Sequence, residues 1–307
     1  MRKISVSCIV PYFRGERYLP GFLNNVLKQS MLSQMEIVLA HNEPTSTELE
    51  TVEKFKRAHP GVINHLIVKT VEAISVSMNR CIKNANGRYV AIWNVDDLRT
   101  PNSLELQAAF LDKNSGPVLV YGDYLIVNEF GKTSGKLVSS PKFDRTEFKR
   151  SMHCGPFPMW RREIHNRVGF FDEQFRSGAD FDLMVRIALN YEMGKVPGLL
   201  GYYLDEGRGL STRKGGLQAA ERTVIELRYG AYDKVDLWYV GQARKYRIYD
   251  VNNDKQWFSV GEFVPGYGQI ISRPSLEIAK NAWRGLYQIP AHILRDAIKF
   301  LIRSRSV

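Results

Sequence analysis

Cysteine is scarce in this chain: three in 307 residues, at positions 8, 81 and 154. The number is odd and no two share the short spacing of a metal site, so neither a disulfide scaffold nor a zinc module is encoded. Cys8 and Cys81 fall within apolar patterns and are expected as small core residues. That usage fits a reducing cytoplasm. No run approaches the roughly 20 continuous apolar residues that span a bilayer. Met1 to Ser7 leads straight into a strand-like pattern, without the apolar core and small-residue cleavage site of a secretion signal. Repeats, low-complexity tracts and a glycine-rich, lysine-containing phosphate loop are also missing, which counts against a nucleotidyl transfer enzyme of that type.

Charge, by contrast, is plentiful and uneven. The net charge is +11. Residues 208–307 hold 17 Lys/Arg against 9 Asp/Glu, a net of +8, and the first 207 residues hold 26 against 23, a net of +3. Such a skew marks an anionic partner: a membrane surface, a polyanionic acceptor or nucleic acid. The excess lies outside the α/β pattern and no nucleic-acid motif accompanies it, so nucleic acid is not the expected partner.

Short β-branched runs alternate with helix-period runs over the first hundred residues. Strands are predicted at Ile4–Val10, Glu36–Ala40, Val62–Val68 and Arg88–Trp93. Between them, Phe22, Leu23, Val26 and Leu27 have helical spacing, Thr45 and Glu48 have capping-box spacing, and Met78, Cys81, Ile82 and Ala85 fall on one helical face stopped by Gly87. Alternation of this kind implies right-handed βαβ units and a mostly parallel central sheet flanked by helices. Thr100-Pro101 has the pattern of an N-cap followed by proline, Pro117–Val127 is a long strand, residues 128–150 are polar, and Asp180–Tyr191 is helical. Ile293, Leu294, Ala297, Ile298, Leu301 and Ile302 form an apolar stripe interleaved with Arg295, Lys299, Arg303 and Arg305. Such a helix either lies on an anionic membrane or packs on the core.

Ligands of open α/β sheets bind beyond the carboxyl ends of the strands. Three clusters fall there or at a helix start. Asn94-Val95-Asp96-Asp97 follows the fourth strand, and two adjacent acids repel each other unless a cation or solvent intervenes. A solvated turn, or Asp97 as a helix cap, is the alternative. Asp180 in Ala179-Asp180-Phe181-Asp182 sits at a helix N-terminus, where capping alone would explain an acid. Arg14 and Arg17 follow the first strand and could meet phosphate or remain on the surface.

Taken in order over residues 4–213, these pieces resemble the inverting family 2 of glycosyltransferases. Val10-Pro11-Tyr12 with Tyr18-Leu19 is similar to its opening strand and loop. Ser75 to Arg80 and Ala85-Asn86-Gly87-Arg88-Tyr89 are similar to its helix before the metal strand, and Asn94 to Asp97 stands at its aspartate-rich motif. Val168 to Glu173 followed by Asp180 to Arg186 is similar to its acceptor-side segment.

The resemblance implies a Rossmann-like GT-A domain over 1–215, with a nucleotide-sugar half at 1–100 and an acceptor half at 101–215, and a basic helical or irregular extension at 216–307. It implies nucleotide-sugar contacts from Pro11, Tyr12, Arg14, Glu16, His41 and Asn42, and from Asn79, Asn94 and Asp96. It implies Mn²⁺ or Mg²⁺ held by Asp97, Asp96 and Asp205, with Arg14 or Arg213 at phosphate and Asp180 as the single base of an inverting transfer. The acceptor would be a hydroxyl of a glycan or glycolipid, and the location cytoplasmic, with the basic helix at the membrane. Three departures stand out: Ala40-His41-Asn42 where an acid usually meets the base, Asn94 where the motif begins with Asp, and Ala179 ahead of Asp180. They leave a GT-A-like protein without catalysis as the alternative.

Overall fold

The computed structural model describes residues 3–207, 217–229, 248–251 and 270–273. These fall into two compact units: residues 3–144, 153–167 and 187–207 form one, and residues 145–152, 168–186, 217–229, 248–251 and 270–273 the other. The C-terminal stripe at 293–302 and Arg213 lie outside the described residues.

In chain order the elements are β1 (Val6–Phe13), α1 (Leu19–Leu27), β2 (Met35–Asn42), α2 (Ser46–Ala58), β3 (Ile63–Val68), α3 (Ile74–Lys83), β4 (Tyr89–Ile92), β5 (Leu98–Arg99) and α4 (Ser103–Lys113). They continue with β6 (Pro117–Val127), β7 (Lys136–Val138), α5 (Arg145–Arg150), β8 (Met159–Arg161), α6 (His165–Val168), α7 (Ala179–Asn190), β9 (Glu192–Leu204), α8 (Leu217–Tyr229), β10 (Ile248–Val251) and β11 (Ile270–Arg273). Among these helices none is long and apolar enough to cross a membrane.

The first unit is built on a nine-stranded sheet in the order β3-β2-β1-β4-β8-β6-β9-β5, with β7 on β6. β3, β2, β1 and β4 are mutually parallel, as the βαβ alternation predicts. From β8 onward the sheet is mixed: β8 is antiparallel to β4 and β6, and β9 is parallel to β6. In the second unit β10 pairs antiparallel with β11.

Strand alternation explains the core. Val6, Cys8, Val10 and Tyr12 of β1 join Met35, Ile37 and Leu39 of β2 on one face, packed against Phe22 and Val26 of α1 and Val52 and Phe55 of α2. On the other face α3 covers β1 and β2, and the buried Cys81 thiol donates to the Val38 carbonyl at 3.2 Å. All three cysteines are buried and none is in a disulfide.

The structure corrects several local readings. The third helix ends at Lys83, before Gly87. Gly87 instead lets two strand ends touch: its N–H donates to Ser7 Oγ at 2.8 Å, and a Cβ there would lie 2.6 Å from the Ser7 nitrogen. Thr100 caps nothing, since its hydroxyl donates to the Leu199 carbonyl at 2.7 Å and α4 begins later, at Ser103. The polar stretch 128–150 contains β7 and α5.

A buried polar chain ties α2 to the ends of β1 and β2. Thr45 and Glu48 form the expected capping box. Glu48 Oε1 also accepts from the Tyr12 hydroxyl at 2.8 Å, and its Oε2 lies 3.3 Å from His41 Nε2. His41 Nδ1 lies 3.1 Å from Nε2 of His65 on β3, whose Nδ1 lies 3.5 Å from Glu53. Burial holds both imidazoles below their ordinary pKa of 6.5, against the pull of Glu48 on His41 and of Glu53 on His65. One proton between the rings satisfies the pair, whereas two imidazolium rings would set donor against donor.

Gly87→Ala is expected to destabilise the fold by about 1–3 kcal/mol through overpacking against Ser7, measured as a fall in denaturant midpoint at constant slope. Because the folded state resists protonating His41 and His65, the stability they contribute is complete above pH 6.5. It drains away as pH falls below that value, where the unfolded chain takes up the protons. His65→Gln should therefore show a shallower loss of Tm between pH 6.5 and the acid range than wild type; equal slopes would refute the coupling.

Candidate functional site

In the first unit the chain moves outward from β1 to β2 and β3, then crosses back through α3 to β4 on the other side of β1. Such a reversal marks the carboxyl ends of β1 and β4 as the place where sheets of this kind bind ligands. Pro11 stands in β1 beyond Ile9, the last residue paired with β4, so its missing N–H removes no ladder bond on that side. Backbone strain concentrates at this rim. Arg14 (φ 48°) follows β1 and Glu43 (φ 41°) follows β2, and the two side chains form an ion pair at 3.9 Å.

The acidic pair follows β4. Asp97 is 1% exposed. Its Oδ1 accepts from the Leu204 N–H at 3.0 Å and its Oδ2 from the Asn94 amide at 3.1 Å. Burial first, and the neighbouring Asp96 charge second, push its pKa up to about 8. Asp96 keeps partial exposure. Its carboxyl is also raised, by burial and by Glu206, with Arg17 opposing. The two acids therefore differ: Asp97 is the internal anchor of the loop and Asp96 its open member. Asn94 supplies a donor where an acid would have added a third negative charge.

Arg99 backs the loop from inside. It is fully buried and donates to the Ile92 carbonyl at 2.8 Å and to Gln107 at 2.9 Å, while Gln107 donates to the Phe157 carbonyl at 2.7 Å. Burial lowers its pKa to about 10. Beyond Leu204, Glu206 accepts from Arg17 and, at 3.2 Å, from the Tyr18 hydroxyl, and the Arg17 guanidinium lies 4.3 Å above the Tyr18 ring. The end of β9 is thereby fastened both to Asp97 and to the loop after β1.

Other residues singled out in the sequence have internal duties. His41 is buried, with both ring nitrogens engaged as described above. Asn42 donates to Tyr12 and Ala40 carbonyls at 3.3 Å and to Ser77 at 3.0 Å, and accepts from the Glu72 N–H at 3.0 Å. A base edge could reach either side chain only by displacing these partners. Asn79 is fully buried on α3, and Glu16 is exposed in the loop before α1. Asp205 closes its own turn, accepting from the Gly207 N–H at 3.0 Å. Among the described residues no three His, Cys, Asp or Glu side chains gather as a metal cage. A cation at the pair would therefore need oxygens from a bound ligand, as Mg²⁺ commonly does with phosphates.

Tyr12 points inward to Glu48, while its neighbour Phe13 is 46% exposed at the rim with the Arg14 guanidinium 5.0 Å above its ring. Phe13 is the aromatic that the sequence reading passed over, although strand alternation alone sets it opposite to the buried Tyr12.

In the second unit Asp180 lies in the first turn of α7, and its Oδ1 accepts from the Phe181 N–H at 2.8 Å. Burial raises its pKa, the bonds from Phe181 and its own backbone lower it, and the charge of Glu221 raises it further. Asp182, one turn-face away, is tied up with Arg186 at 2.9 Å, and Arg186 also donates to the Phe170 carbonyl at 2.6 Å.

Known proteins share this architecture. The chain is 27% identical over 203 residues to EpsE of Bacillus subtilis (strain 168), a protein assigned to the glycosyltransferases, covering 66% of this chain and 70% of that one. It is 28% identical over 150 residues to UDP-Glc:alpha-D-GlcNAc-diphosphoundecaprenol beta-1,3-glucosyltransferase WfgD of Escherichia coli, covering 49% of this chain and 56% of that one. Its fold matches that of S. aureus TarS 1-349 in complex with UDP-GlcNAc, with a TM-score of 0.59 at 18% identity over 79% of this chain and 71% of that one. It also matches the mannosyltransferase PcManGT from Pyrobaculum calidifontis in complex with GDP-Man and Mn²⁺, with a TM-score of 0.51 at 14% identity over 80% of this chain and 65% of that one. The family model for glycosyl transferase family 2 matches residues 7–169, more than half of the chain, so this protein belongs to that family and is a glycosyltransferase with the GT-A fold.

Proposed function

We propose that the chain moves a sugar from a nucleoside-diphosphate donor to a hydroxyl of a glycan or glycolipid, with inversion and with Mn²⁺ or Mg²⁺ as cofactor. The carrying observation is the Asp96–Asp97 pair at the end of β4, where one acid is buried and fastened and the other is open. That arrangement fits a cation shared with a diphosphate, since such a cation needs only one or two protein carboxylates. Asp96 would be the main ligand, with Asp97 fixing the loop that presents it. When bound, the cation would neutralise charge on the departing diphosphate.

The remaining roles fall to side chains of this protein. Phe13 offers an apolar ring face to a nucleobase at the rim, and Arg14 and Arg17 offer guanidinium groups to phosphate. Asp205 is left out of the cation site, its carboxyl being used within its own turn. Asp180 takes the proton of the acceptor hydroxyl, and the rise of its pKa makes it a better base than an ordinary aspartate. One base without a second carboxylate as nucleophile gives inversion, by the logic that separates inverting from retaining glycosidases. The catalytic part is taken as residues 1–215, and the basic excess beyond 207 would bring it to an anionic, lipid-bearing surface in the cytoplasm.

The donors named for similar proteins are UDP-glucose, UDP-GlcNAc and GDP-mannose. A thermal-shift panel of these three with Mn²⁺ is expected to reveal one that stabilises the fold, by about 2.7 kcal/mol at roughly a hundredfold excess over Kd. Asp96→Asn should abolish the part of that shift that depends on Mn²⁺, and a shift of wild-type size would refute the ligand assignment. Asp180→Asn should retain the donor-induced shift and lose about 10²- to 10⁴-fold in transfer rate; transfer at the wild-type rate would remove Asp180 as the base.

A further inference from the structure

We propose that Glu221, on α8, is the positioning residue for Asp180: its carboxylate fixes the turn that launches α7 and with it the setting of the aspartate that follows. The proposal rests on the reading of Asp180 as the base.

The geometry is specific. Glu221 is 1% exposed. Its Oε1 accepts from the Arg176 N–H at 2.9 Å, and its Oε2 accepts from the Ser177 N–H at 2.7 Å and the Gly178 N–H at 2.8 Å. Three consecutive backbone donors thus converge on one side chain from 43 to 45 residues further along the chain. Donors ahead of a helix have no partner within the helix, and Glu221 supplies the outside acceptor for this turn, whose last residue, Gly178, is buried. The first turn of α7 continues directly, with the Asp182 N–H donating to the Gly178 carbonyl at 3.0 Å. Asp180 sits between these two fixed points. Gly178 permits the close approach, since a Cβ there would lie 3.0 Å from Ile225 Cδ1 and 3.3 Å from Glu221 Cβ.

The electrostatics act in the same place. Asp180 lies at the amino end of α7, where the helix dipole favours its ionised form and weakens it as a base. Glu221 supplies the opposing negative charge from another element. On α7 itself Asp182 is compensated by Arg186. Position 179 carries only a methyl group, so no carboxylate directly precedes Asp180 on α7, and Glu221 brings one from α8.

The test compares full-length wild type, Glu221→Gln, Glu221→Asp and Asp180→Asn. Titration of the Asp180 side-chain carbon by NMR, in protein labelled at aspartate Cγ, needs no donor; the signal is assigned by its loss in Asp180→Asn. Glu221→Gln is expected to lower the Asp180 midpoint by about half a unit or more. It should also reduce kcat about tenfold or more for UDP release from UDP-glucose, with the donor KM unchanged. A wild-type midpoint in folded Glu221→Gln overturns the proposal. Should Glu221→Gln not fold, Glu221→Asp decides: it keeps the charge but withdraws the carboxylate, so lowered kcat at an unmoved midpoint supports positioning, and full kcat overturns it. UDP release at the wild-type rate by Asp180→Asn would overturn the underlying assignment of the base, whatever Glu221 does.

Discussion

A carboxylate buried against a second carboxylate is an unfavourable arrangement, and much of the first unit is organised around holding it. Asp97 stays inside because two donors meet its oxygens, one from the last residue of β9 and one from Asn94. The buried guanidinium of Arg99 stands behind the same loop and ties it to α4 and to Phe157. Burial, together with neighbouring acids, keeps the pKa values of both members raised, and Asp96 is the one that stays open.

The same device recurs in the second unit. There a buried glutamate gathers three backbone N–H groups, and the fixed turn carries an aspartate whose proton affinity is raised. In both places hydrogen-bond donors hold one carboxylate still beside another acid. Such bonds strengthen when the acceptor is ionised, and burial of the acceptor keeps water from competing for them. The polar chain from Tyr12 through Glu48 to His41 and His65 plays the structural counterpart, spending its groups on each other and keeping β1, β2 and α2 in register.

Much of the fold was legible where local chemistry and global need agreed. The β-branched runs gave β1 to β4 to within a few residues, the Thr45/Glu48 spacing gave the cap of α2, and Pro117–Val127 matched β6 at both ends. β9 escaped because Gly194, Pro197, Gly198 and Gly201 break its pattern, and because its strandedness comes from pairing with β6. Thr100 and Gly87 were misread for one reason: each serves a contact with a residue distant in sequence, Leu199 and Ser7, that local spacing cannot signal.

By itself the sequence determined the βαβ alternation, the family, and the positions 94–97 and 180 as the places where acids meet a strand end and a helix start. Periodicity and motif order carry that information, because both are local along the chain. Only the tertiary structure decided which acid of the pair is buried, that Phe13 and not Tyr12 faces outward at the rim, that His41 and Asn42 are occupied internally, and that Glu221 reaches the turn before Asp180. Those outcomes depend on burial and on bonds between residues far apart in sequence, and a side chain's partners exist only once the chain has closed around it.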